Sequence, residues 1–477
     1  MSGTAVASAP AVPAERAPTP ARRGAALPAV SLLVLYLALL LLIPSELVLA
    51  EVGSAGTPAN LLGLAFLLWW VCARLGGQVS ARLTPMHLAL GVLVLCVLLA
   101  LVNGLAHGWT RPVDIRQDFD EVWTLLPVTE TELFDKSVLG AMRGLIALGS
   151  WVGVALLIID GIRSWPDLDR VIDVLVGLCA VVAALGIYQY FTGDNLARHV
   201  QVPGLSPTYD VGVSISRSVL NRVSATTTHP IEFCVVLTTV LPLALHRAFH
   251  PRRTGTVRRV LTVYLPAALI ALAIPMAVSR SGIVALGTAM LVLFVGWPAN
   301  RRLWLLVLAP PAAVLMRSAL PGLLGTIRSL FTQSLTDPSV TARTDDYGTT
   351  LALYSEHALL GRGAFTFIPQ YYRVLDNQLL LNLIELGILG LTATLGVFAT
   401  GYYLARHAKR HADSEEHRHL GLALSAAIAA MFIAYFTFDA WGFAKTGAVT
   451  FVLLGLAGAL YRLEHTARAP EPASTDR

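Results

Sequence analysis

PGLLGTIRSLFTQSLTDPSVTARTDDYGTTLALYSEHALLGRGAFTFIPQYYRVLDNQLLLNLIELGILG, residues Pro321–Gly390, decides how the chain is read. It is the longest polar interruption in an otherwise apolar sequence, and it runs into an apolar helix at DNQLLLNLIELGILG. It holds Arg328, Arg343, Arg362 and Arg373, with Arg317 just before it, and a carboxylate, Asp376, where polar loop becomes helix. The remaining segments read as scaffolding that holds this loop against a membrane.

Composition supports that reading. The 477 residues are 55% hydrophobic and 14% charged, with a mean hydropathy of +0.65; soluble domains carry roughly 25% charged residues. The chain is therefore expected to be an integral membrane protein. Its net charge of +5 is a topology signal, because basic residues collect in cytoplasmic loops. Nucleic-acid binding would need a basic stripe on a soluble face, and none is present. Lysine is scarce (Lys136, Lys409, Lys445) beside abundant Ala, Gly and Leu, which suggests a GC-rich bacterial source. Cys72, Cys96, Cys179 and Cys234 all fall inside apolar segments, without metal-ligand spacing, and read as small core residues.

A membrane helix needs ~20 apolar residues. That ruler gives about twelve helices, near 28–50, 59–76, 86–107, 138–160, 168–192, 229–249, 260–278, 281–298, 303–320, 378–405, 420–440 and 444–463. Residues 1–26 and 465–477 read as disordered cytoplasmic tails, flanking a transmembrane domain over 27–464. With the N-terminus inside, the short basic loops fall inside, including His246–Arg259 with its five arginines. The long mixed loops fall outside, as the positive-inside rule requires. The large loop 321–377 is then extracytoplasmic, and so is the turn Ser279–Gly282. The acidic segment with Asp114, Asp118, Asp120 and Glu121 and the histidine-bearing HAKRHADSEEHRH stretch read as a solvated surface and a charged connector. No P-loop, GxGxxG, HExxH or internal repeat is present, which argues against nucleotide-driven or zinc chemistry, and no cofactor is expected.

Charge near hydrocarbon is expensive and marks functional candidates. NRVSATTTHP supplies Arg222 and His229, SRSG supplies Arg280, TARTDDY supplies Arg343, and the last helix of the stretch opens on Asp376 and Asn377. A guanidinium stays protonated and its fork matches phosphate oxygens two at a time, which suits the phosphate of a lipid. Asp376 is the candidate general base and also fits a helix N-cap; His229 and His357 are the other candidate bases. Arg362 and Arg373 read as surface or lipid-facing. Glu232, Glu385 and Asp439 read as packed, hydrogen-bonded structural residues. Gly361 and Gly363 offer flexible backbone where a hinge could sit.

These landmarks resemble the O-antigen ligase and O-antigen polymerase superfamily. NRVSATTTHPIEFCVVLTTVLPLAL, SRSGIVALG, SVTAR…LALYSEHALLGRGAFTF and DNQLLLNLIELGILG follow the family's motifs in order, over about Arg222–Gly390. Asp376 stands where the family usually has His, and Ala358 where it usually has Pro. The resemblance implies an all-α, GT-C-like transmembrane bundle with a large outer loop of short helices. It implies transfer of an oligo- or polysaccharide from a polyprenyl pyrophosphate carrier to an acceptor hydroxyl, at the outer face of the bacterial cytoplasmic membrane. In that reading Arg222, Arg280 and Arg343 hold the pyrophosphate, Asp376 takes the acceptor proton, Asn377 orients it, and His229 and His357 help bind substrate. A polymerase that joins lipid-linked repeats differs only in its acceptor. A secondary transporter, expected to show repeats and a midplane site, and an inactive scaffold are the alternatives from other classes.

Overall fold

The computed structural model describes residues 28–77, 83–108, 130–208, 216–217, 220–252, 255–319, 338–369, 372 and 374–467. The protein is all-α. Helices run α1 Ala29–Leu42, α2 Pro58–Leu75, α3 Pro85–His107, α4 Glu130–Gly161, α5 Trp165–Thr192 and α6 Pro230–Phe249. They continue as α7 Thr256–Met276, α8 Arg280–Gly296, α9 Ala299–Ala319, α10 Pro338–Glu356, α11 Gln378–His411, α12 Glu415–Ala434 and α13 Ala444–Ala467. Two-residue strand pairs, Leu47–Val48 with Ser206–Pro207 and Ser216–Arg217 with Leu220–Asn221, tie loops together.

Nine helices among the described residues are long and apolar enough to cross a membrane. Two more, α1 and α8, are apolar but have only 14 and 17 residues, which at ~1.5 Å per residue falls short of a ~30 Å core. Helix α9 carries Pro310 and Pro311 inside it. Helix α4 begins at Glu130, earlier than hydropathy suggests, so its first turns rise beyond the apolar part of the bundle. The acidic residues at 114–121, Arg328 and Arg373 lie outside the described residues.

Successive helix ends gather alternately at two faces. One is basic. There Arg247 pairs with Asp173 at 2.6 Å and Asp169 at 3.1 Å, Arg301 with Glu415 at 3.1 Å, and Arg252 with Glu416 at 2.7 Å and with Asp169. His419, expected in a charged connector, instead points inward: Trp297 Nε1 donates to its Nε2 at 3.0 Å, and its Nδ1 lies 3.1 Å from His246 Nδ1. An indole N–H only donates, so His419 Nε2 accepts and its Nδ1 carries the proton towards His246. His419 then has no lone pair left for a cation, and the histidines brace α6 against α12.

The opposite face carries the long loops. Its strap is Lys445, 1% exposed, whose Nζ donates to Thr226 O at 2.5 Å and Thr226 Oγ1 at 2.7 Å. Glu232 accepts from the Lys445 amide at 2.8 Å and the Thr228 amide at 3.0 Å. Buried charges persist only when paired and hydrogen-bonded. This pair fixes the start of α6 against the start of α13.

Helix α11 is not continuous. Gly387 has φ 63°, ψ −168° inside it, and the segment His357–Phe367 fills the break. Arg362 N donates to Ile384 O at 2.9 Å and Gly363 N to Glu385 O at 3.1 Å. Beyond the break, Ile388 N donates to Ala358 O at 2.9 Å and Leu389 N to Leu359 O at 3.3 Å. Backbone groups freed at membrane depth must find partners within the protein, and this clasp supplies them. Gly361 and Gly363, read as hinge candidates, are instead points of close approach; a Cβ on Gly361 would run into the Glu385 backbone.

Candidate functional site

The loop face carries most of the suspected residues: Arg222 lies beside the turn that opens on Arg280, and Asp376 and Asn377 stand at the start of α11. The segment Arg222–His229 is pinned from several sides. Gln189 Oε1 accepts from the amides of Ser224 at 3.0 Å and Ala225 at 2.9 Å, and Asn195 Nδ2 donates to Ala225 O at 3.0 Å. These bonds hold Ala225 at φ 48°. Arg222, 8% exposed, reaches from this segment to α7, where its Nε donates to Ala277 O at 3.4 Å.

At the next residue the turn between α7 and α8 holds Val278 at φ 48°. For a β-branched residue this costs on the order of 1–3 kcal/mol. Ser279 then caps α8, its Oγ accepting from Gly282 N at 3.4 Å, which puts half-buried Arg280 at the first position of the helix. Gly282 is required there because a Cβ would run into Cys234 of α6. Among the described residues three that are not glycine have positive φ, Ala225, Val278 and Phe365, and all three lie in the suspected motifs. Such strain persists where surrounding structure over-determines it, often at functional sites.

His229 caps α6, its Nδ1 accepting from Ile231 N at 3.1 Å, and its ring centroid lies 6.0 Å from that of Phe443. Asn377 caps α11; its Oδ1 accepts from Leu379 N at 3.0 Å and Leu380 N at 3.2 Å. The cap expected of Asp376 therefore belongs to Asn377, and Asp376 is half-buried beside it. Gln378 locks this end to the α12–α13 loop, donating from its amide to Tyr435 O at 2.9 Å and accepting from Trp441 N at 2.7 Å.

That loop contributes Asp439, read from the sequence as a packed structural residue. Burial pushes the Asp439 carboxyl up to about 7, and the charge of Asp376 pushes the same way. Two neighbouring carboxylates resist ionising together. A carboxyl held protonated stabilises the fold below the unfolded value near 3.8, and this contribution is lost as pH rises through about 7. We therefore expect Asp439→Asn, which cannot ionise, to melt higher than wild type in detergent at pH 8 and no higher at pH 4. An equal gap at both pH values would show that Asp439 ionises without penalty.

Asp439 also lines a cavity of about 490 Å³, together with Gln378, Trp441 and Glu385. Glu385 is packed as expected, accepting from Phe367 N at 2.9 Å. Arg362 corrects its surface assignment: it is 6% exposed, donates to Tyr372 Oη at 2.8 Å and lies 4.5 Å from that ring's centroid. Stacking on an aromatic ten residues along the chain buries it. His357 packs at the end of α3, its ring 5.7 Å from that of His107, and burial there holds its pKa below the ordinary value. Arg343 falls on α10, with its side chain outside the described residues.

Fold and site together define a multi-pass membrane protein built around a clasped, broken helix, with its suspected polar residues at one face. A family model described as O-Antigen ligase matches residues 265–395. The match takes in most of α7, Arg280, Arg343, His357, the clasp, Asp376, Asn377 and Gly387, so the resemblance read from the motifs holds over this stretch. It supports a ligase- or polymerase-type role in polysaccharide synthesis, with a lipid-linked glycan donor and an acceptor at the membrane. Arg222, His229 and Asp439 lie outside the matched stretch. No curated protein matches the chain.

Proposed function

We propose that the protein transfers a glycan from a polyprenyl pyrophosphate carrier to an acceptor hydroxyl, at a loop face that lies outside the bacterial cytoplasmic membrane. The observation that carries this reading is the half-buried carboxylate of Asp376, beside Asp439, on the face where Arg222 meets the Arg280 turn. Asp376 accepts the acceptor's proton. The acceptor oxygen bonds to the anomeric carbon as that carbon's bond to the carrier phosphate breaks, and polyprenyl pyrophosphate leaves. Arg222, Arg280 and Arg343 balance the charge gathering on the leaving phosphate, so in this reading arginine does the work a metal ion would do. Asn377, its oxygen committed to the helix cap, orients the acceptor through its amide NH₂. His229 and His357 flank the substrate.

The broken helix bears on the transporter alternative. Transporters leave half-helix ends open to a midplane ion or substrate, whereas here the clasp occupies those groups. The test is a deletion strain with and without the wild-type gene, with surface glycans and lipid-linked intermediates read by mass spectrometry. Accumulation of finished lipid-linked glycan supports a ligase, and accumulation of single repeat units supports a polymerase. Unchanged surface and lipid-linked glycans would sink the proposal.

A further inference from the structure

A second cavity, of about 900 Å³, opens between α5, the end of α6 and the start of α7, in the size range of ligand sites, roughly 300–1,000 Å³. It lies at the basic face, opposite the loops that carry Asp376. Its lining is sorted by depth. The charged residues sit at one end, with Asp169, Arg170 and Asp173 on the first turns of α5 and Arg247 and Arg252 at and just past the end of α6. Below Asp173 the α5 wall is Val174, Gly177, Ala180, Val181 and Ala184, and α7 contributes Leu261, Leu265 and Leu269. At ~1.5 Å per residue, Val174–Ala184 runs ~15 Å, half of a ~30 Å hydrocarbon core. The cavity thus has the depth and polarity of one membrane leaflet, charge at headgroup level above an apolar trough.

Two features of the walls point to an occupant. Helix α7 opens with a π-helical turn, Val260–Tyr264, and Leu261, Thr262 and Val263 of that turn line the cavity. Such turns are rare and concentrate at functional sites. On the opposite wall a Cβ at Gly177 would meet nothing within 4 Å, so the trough is open to its floor. The headgroup end carries a spare cation. Arg247 is committed to Asp169 and Asp173, and Arg252 to Asp169 and Glu416. Exposed Arg170 has no ion pair or hydrogen bond among the described residues. Arg258 is exposed one turn before Thr262, whose hydroxyl donates to Arg258 O at 2.8 Å, and adds a further positive charge at the start of α7. Basic pockets of this kind between membrane helices suit anionic lipid headgroups.

We propose that this cavity binds one anionic phospholipid from the leaflet that the basic face meets. Its phosphodiester pairs with Arg170, and one acyl chain lies in the trough over Gly177, between α5 and the π-helical turn of α7. A single uncommitted arginine in the wall matches the single negative charge of a phosphodiester, and a pyrophosphate carries more. The site stands apart from the proposed glycan transfer and holds whether or not that reaction is the right one.

The experiment is native mass spectrometry of the purified, delipidated full chain, titrated in detergent with phosphatidylglycerol or with phosphatidylcholine of the same acyl chains. Wild type should take up one phosphatidylglycerol in preference to phosphatidylcholine, and its melting temperature should rise with it. Arg170→Ala should weaken that uptake about fivefold, the scale set by one arginine at a lipid surface, with Arg170→Lys intermediate. Gly177→Leu fills open space and favours the helix, so it should melt at or above wild type without lipid yet gain nothing from phosphatidylglycerol. Arg410→Ala, exposed on the same face at the end of α11 and outside the cavity, should bind as wild type does. Equal uptake of the two lipids, or undiminished uptake by Arg170→Ala and Gly177→Leu, would overturn the proposal. So would an equal loss in Arg410→Ala, which would mean diffuse attraction to a basic surface. Displacement of phosphatidylglycerol by equimolar polyprenyl phosphate would overturn it as well, because the groove would then be a carrier-lipid site.

Discussion

Arg280→Ala should reduce glycan transfer by ~10²- to 10³-fold, the scale at which losing one preorganised charge-stabilising group slows a reaction. The protein should remain folded in the membrane. Arg280 opens α8 on a strained turn whose geometry is set by Val278, Ser279 and Gly282, none of which needs the guanidinium. The fall should appear in kcat more than in KM if the contact strengthens as charge builds on the leaving phosphate. Arg280→Lys should restore only part of the rate, since an ammonium keeps the charge but loses the two-pronged match to phosphate oxygens. Arg317→Ala, at the exposed end of α9, is the matched control and should leave the rate unchanged. Complemented deletion strains compared by mass spectrometry provide the measurement, with lipid-linked glycan accumulating only for the position-280 variants. Full rescue by Arg280→Ala would remove this arginine from the mechanism.

What the sequence makes legible here is what hydropathy and charge encode. Apolar runs mark the helices to within a few residues, and basic loops sort the helix ends into two faces. Both depend on local composition. The break in α11 does not, because LIELGILG is as apolar as any continuous helix; what breaks it is hydrogen bonding to residues 358–363, and no local window contains that. Its only trace is the Gly-x-x-Gly spacing, which identifies Gly387 without saying why glycine is needed. Arg362 misled for a similar reason. Between two glycines it resembles a solvated turn, yet Tyr372 stacks on it and buries it. Asp439 looked structural because its partner, Asp376, is 63 positions away, although the alternation of basic and mixed loops already places both at one face. The cavity beside Trp441 was illegible because its walls come from α2, α4, α11 and the loop before α13.

Gly387→Ala should be strongly destabilising for the addition of a single methyl group. At φ 63°, ψ −168° a Cβ strains its own backbone, and it would also lie about 2.5 Å from the Leu359 carbonyl. Neither atom can yield, because Leu359 O accepts from Leu389 N and Ile388 N donates to Ala358 O across the same gap. Strain of ~1–3 kcal/mol combines with loss of clasp hydrogen bonds worth about 0.5–1.5 kcal/mol each. A destabilisation of ~2–6 kcal/mol follows if both bonds across the gap are lost, read as a lower detergent melting temperature. Gly396→Ala, two turns further down the same helix, is the comparison. Nothing lies within 4 Å of a Cβ there, and Ala gains up to ~1 kcal/mol of helix propensity over Gly, so this variant should melt at or above wild type. Equal melts for the two would mean that the break tolerates a side chain and that the clasp does not hold it. Opposite shifts would tie the site to the clasp, because the segment that fills the break also carries Phe365 into the cavity wall, and Asp376 and Asn377 stand at the head of the half-helix it supports.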